Sequence, residues 1–120
     1  MYFKSTMAVA VALTLTLTAC GGNREPLTPG EQAARQASYL EFTKSQCANV
    51  LGGSGVGEVT RASAKLQKRA KDLGVVRNYS NPDTAIGTAW SISVGLQGRM
   101  GTCNDFVTKS YQIMSNTGTL

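Results

Sequence analysis

At 120 residues, the chain has room for one domain with a single modest core. It holds no histidine, which removes the commonest general base and metal ligand. Its seven carboxylates are scattered without a local acidic pair, so neither an enzyme nor a bound metal or other cofactor is expected. The net charge of +5 suits an anionic membrane or an acidic partner and singles out neither.

The first residues read as a targeting segment. Lys4 supplies a positive start, and Ala8 to Thr18 form an uncharged apolar run. That run is shorter than the roughly 20 residues a spanning helix needs. It ends Leu17-Thr18-Ala19-Cys20-Gly21. An aliphatic residue, two small residues and a cysteine in this position resemble the lipobox of bacterial lipoproteins.

The resemblance implies that residues 1–19 are a cleaved signal peptide and that Cys20 carries diacylglycerol and a further palmitate-type chain. Each buried methylene contributes roughly 0.8 kcal/mol, so two or three chains anchor stably. Gly21 in place of Asp implies the periplasmic face of the outer membrane. A chain exported and tethered there is not expected to meet nucleic acid. The compartment is oxidising, and Cys20 is taken by lipid. Cys47 and Cys103 therefore remain as a pair expected to be bridged.

Residues 20–30 read as the lipidated N-terminus and a flexible tether, and residues 31–120 as a helical periplasmic domain. Thr28-Pro29-Gly30-Glu31 fits a capping box with proline at the first helical position. A first helix should then run to about Leu51, with Ala33, Ala37, Leu40, Cys47 and Leu51 on one stripe. Gly52 to Gly57 reads as an interhelical loop. It lacks the Gly-Lys-Ser/Thr ending of a phosphate-binding loop.

The second helix, Glu58 to Leu73, buries Val59, Ala62, Leu66, Ala70 and Leu73. Gly74 follows as a left-handed cap residue. Arg61, Lys65, Lys68 and Arg69 face the other way, and the basic stretch to Arg77 reads as a solvated face.

Asn81-Pro82-Asp83 opens a third helix whose main buried stripe should be Ala85, Ala89, Ile92 and Leu96, widened by Ile86 and Trp90. Alternation from Trp90 to Val94 also suits a strand, but a lone strand has no partner, which favours helix. A fourth helix over Thr102 to Ser115 places Cys103, Phe106, Val107, Ser110 and Met114 on one face. Both cysteines thus point to the core. The expected fold class is all-α, a small four-helix domain stapled by one disulfide.

Tyr39, Phe42, Trp90, Met100, Tyr111 and Met114 exceed what one thin seam in so small a bundle must bury. They either line a groove for an amphipathic partner helix or seal a wide core. The lipobox, the helix ending near Cys47, the basic helix closing in Leu73-Gly74 and the run Cys103-Asn104-Asp105-Phe106 together resemble the small helical pilotins of type II secretion systems, the PulS/OutS type. That resemblance implies a lipoprotein that binds a C-terminal segment of a secretin and aids its outer-membrane targeting. The alternative is a protective lipoprotein: an immunity protein, an exclusion factor or a hydrolase inhibitor.

Overall fold

The computed structural model describes residues 26–81 and 83–120. The leader expected at 1–19 and Cys20 lie outside the described residues. Within them the chain forms α1 (Pro29–Gln46), α2 (Ala48–Asp72) and α3 (Thr84–Thr117), with no strand. The molecule is all-α, and the segment around Trp90 is helical. None of these helices is long and apolar enough to cross a membrane.

The start of α1 follows the sequence grammar. Thr28 Oγ1 accepts from the Glu31 amide at 3.1 Å, and the Thr28 amide donates to Glu31 Oε1 at 3.0 Å. Two otherwise orphaned donors are satisfied at once. The expected continuation to Leu51 fails, because α1 stops at Gln46 and Cys47 turns the chain with φ −126° and ψ 30°.

The expected glycine loop is also overturned. Only Gly52 leaves helical geometry, at φ 75° and ψ 174°, and α2 otherwise runs through the glycine stretch. Each helical glycine costs up to about 1 kcal/mol against alanine. Here that cost is outweighed by the burial of Leu51 and Val59 on either side. Gly55 is needed for closeness: a Cβ there would lie 3.2 Å from both Leu51 Cβ and the Tyr111 hydroxyl.

The end of α2 matches expectation. The Gly74 amide bonds the Lys71 carbonyl and the Val75 amide bonds the Ala70 carbonyl, both at 2.9 Å, with Gly74 at φ 89°. This is a Schellman cap, and Val75 packs back on the core beneath it.

At α3 the cap is Asp83 rather than Asn81; its carboxylate accepts from the Ala85 amide at 2.8 Å. Arg35 and Arg77 flank the same carboxylate at 3.5 and 3.7 Å. Further along, Gly98 at φ 85° and ψ 171° doubles the helix back on itself. Ser93 Oγ and Thr102 Oγ1 lie 2.7 Å apart, and Gln97 Nε2 reaches Asp105 Oδ2 at 2.8 Å. In a straight helix, residues nine apart would be about 13.5 Å distant. The expected fourth helix, Thr102 to Ser115, lies within the second arm of α3.

The core joins Ala33, Ala34, Ala37 and Leu40 of α1 to Val59, Ala62, Leu66 and Ala70 of α2, closed by Met114 of α3. Leu40, Leu66 and Met114 are fully buried. Each such side chain contributes about 1.5–3 kcal/mol of transfer free energy. The Cys47–Cys103 disulfide, with Cα atoms 5.5 Å apart, ties the α1–α2 corner to the returning arm of α3.

Candidate binding surface

The first arm of α3 is apolar on two faces, and the structure buries the one not expected. Ile86 is 6% exposed, and Trp90 leans into the molecule. Ala85, Ala89, Ile92 and Leu96 instead face solvent, Ile92 at 59% and Leu96 at 83%. The reason is aromatic. Trp90 meets Phe42 edge-on at 5.4 Å and Phe106 at 5.2 Å, an attraction that a stripe of alanine, isoleucine and leucine cannot match.

Phe106 is the hub of this cluster. Tyr39 stacks on it at 4.9 Å, and Phe42 tilts toward it at 6.0 Å. The Arg99 guanidinium sits 5.5 Å from the Trp90 centroid while donating to the Gln46 carbonyl at 3.2 Å. Lys109 Nζ lies 5.6 Å from the Tyr39 ring. Burial, and then the Asp105 carboxylate, hold the Tyr39 phenol well above its ordinary value. Tyr39, Phe42 and Trp90 therefore seal the seam between α1 and both arms of α3.

The other three groove candidates do not join them. Tyr111 lies over α2, its hydroxyl donating to Glu58 Oε1 at 2.7 Å. That hydrogen bond, followed by burial, raises its pKa. Met114 is fully buried in the core and offers no surface to a partner. Met100 is 67% exposed, just past the Gly98 turn.

The sequence reading missed Ile92 and Leu96 as surface residues and Phe106 as a hub. One signal was available: no charged residue occurs from Thr84 to Gly98, so either face of that segment could be buried. Once Ile86 and Trp90 go inward, an unpartnered apolar ridge is left, bordered by the small residues Thr88, Ser91 and Gly95. Such a ridge can pack closely against another apolar helix, in the way i, i+3 and i+4 anchors do.

No protein-family model, no curated protein and no solved structure matches this chain.

Proposed function

We propose that this chain is a periplasmic lipoprotein, anchored through Cys20 to the outer membrane, that acts as a non-catalytic binding module. In the form closest to its resemblance it is a pilotin, holding a C-terminal segment of a secretin subunit and aiding its targeting. The observation that carries this reading is the exposed ridge Ala85, Ala89, Ile92 and Leu96. Leaving large apolar side chains in water on a helical arm with no charge is costly unless something covers them. The four-helix shape expected of such a domain is supported by the doubling back of α3 at Gly98. The Cys47–Cys103 bridge fixes the returning arm, and Trp90 packed edge-on against Phe106 of that arm holds the ridge outward.

The test is binding of a synthetic peptide from the secretin's C-terminal segment to the wild type and to Ile92→Ser/Leu96→Ser. Both side chains are exposed, so the fold should survive, as circular dichroism will show. Binding is expected for the wild type and lost in the double variant. Equal binding by the two would move the site elsewhere, and no binding by either would remove the pilotin reading. Palmitate labelling of the wild type but not of Cys20→Ser tests the anchor separately.

A further inference from the structure

A second surface lies at the end of the molecule where the chain enters from its N-terminus. The first turn of α1 and the last turn of α2 abut there, since a Cβ on Gly30 would lie 2.9 Å from Val75 Cγ2 and 3.0 Å from Leu73 Cβ. Beside that junction Leu73 is 54% and Val76 90% exposed, and Leu27 adds a third uncovered apolar side chain. Along the closing turns of α2, Lys65, Lys68, Arg69 and Lys71 all face solvent. A shallow hollow lined by Lys65, Lys68, Arg69, Asp72 and Leu73 joins the cations to the apolar tip. Asp72 pairs with Lys68 at 2.8 Å, so these two charges offset each other and leave Lys65, Arg69 and Lys71 as the outward cations; Glu31 closes the Thr28 cap. Arg77 is engaged by Asp83 and Ser38.

We infer that this tip, Leu73 and Val76 flanked by Lys65, Arg69 and Lys71, docks on an anionic lipid bilayer. Apolar side chains that reach below the headgroups, ringed by ammonium and guanidinium groups that meet phosphates, are what an interface between hydrocarbon and charge selects. Chain length agrees. From Cys20 to Leu27 a fully extended backbone reaches about 25 Å, so an acylated Cys20 keeps this end near the membrane. The opposite end, with the disulfide and Gly98, stands about 27 Å further off along α1. The orientation rests on the reading of Cys20 as lipid-bearing, whereas the lipid-binding surface itself does not.

The experiment is co-sedimentation of the chain from Cys20 onward, carrying Cys20→Ser, with vesicles of phosphatidylcholine alone or enriched in phosphatidylglycerol. All described contacts and the disulfide lie within that chain. Binding is expected only to the anionic vesicles, weakening as salt rises. Lys65→Gln/Lys71→Gln should weaken it on the order of thirtyfold, from about fivefold per charge near a lipid surface. Leu73→Ser/Val76→Ser should also weaken it without loss of helicity, because both side chains are exposed. Equal binding to both vesicle types, no binding, or binding indifferent to either double variant would overturn the inference. Capture of an acidic protein that displaces the chain from vesicles would do the same. Acylation of wild-type Cys20 is read independently by mass spectrometry, so the anchor and the tip can fail separately.

Discussion

Reduction of the Cys47–Cys103 bridge should cost this domain a large part of its stability. The bridge spans 56 residues of sequence and closes a loop that contains all of α2, the connection to α3 and the first arm of α3. Chain-entropy arithmetic for a loop of that size gives about 4 kcal/mol. Total stability for a domain of this class is about 5–15 kcal/mol, so the loss is of the same order. Each kcal/mol moves Tm by about 4–8 °C in a domain this small, which predicts a fall of about 15–30 °C. The assay is thermal circular dichroism of Cys20→Ser protein, oxidised and then reduced, with Cys47→Ala/Cys103→Ala as a second reduced state. Both cysteines are buried and Cys103 lies one helical turn before Phe106, so the bridge also holds the returning arm against α1. A reduced form melting within about 5 °C of the oxidised one would falsify the reasoning, since the unfolded loop would then carry no entropy for the bridge to remove.

Other outcomes follow from single positions. Leu66→Ala, at a fully buried site of α2, should destabilise by about 2–5 kcal/mol in urea melts. Gly30→Ala should destabilise, because its Cβ would press on Val75 and on the Leu73 carbonyl at 3.2 Å; Gly95→Ala, with open space around it, should stabilise by about 0.5–1 kcal/mol. Thr43→Val should stabilise by about 1 kcal/mol, since the buried Thr43 hydroxyl has no partner among the described residues. For alkaline pH the sign follows from Tyr39. Its folded pKa lies above the unfolded value of 10.0, so its contribution is complete below pH 10 and is lost as pH rises beyond it. Tyr39→Phe should flatten that alkaline decline in pH-dependent melts.

Local grammar was the most legible part of the fold. Thr28 with Glu31 and Gly74 with Val75 each specify a cap through atoms a few residues apart, and the structure forms both. The stripe Val59, Ala62, Leu66 and Ala70 is buried as its spacing requires, and Cys47 and Cys103 lie on core faces. Leu73 departs from that stripe, because the Schellman turn at Gly74 carries it outward and sends Val75 in. The glycine run was misleading because its cost is local, while the burial of Leu51 and Val59 that offsets it depends on a core shared with Leu40 and Met114, distant in sequence. The α3 ridge was illegible for a related reason. Ile86 and Trp90 compete with Ile92 and Leu96, and the choice is made by Phe42 and Phe106, which no window around Trp90 contains. The groove residues divided the same way, each going to whichever neighbour its own helix face met.

The seam between α1 and α2 is built largely from Ala33, Ala34, Ala37, Ala62 and Ala70, all buried. Side chains this small allow two helix axes to approach toward the short end of the usual 8–10 Å range. Mutational tolerance should therefore be lopsided. Ala→Gly at these sites loses a methyl and some helix propensity, roughly 1 kcal/mol. Ala→Leu must wedge the helices apart, shifting α3 and the exposed ridge along with them. Homologues of this protein should keep small residues on the seam as firmly as they keep the ridge apolar and the tip cationic.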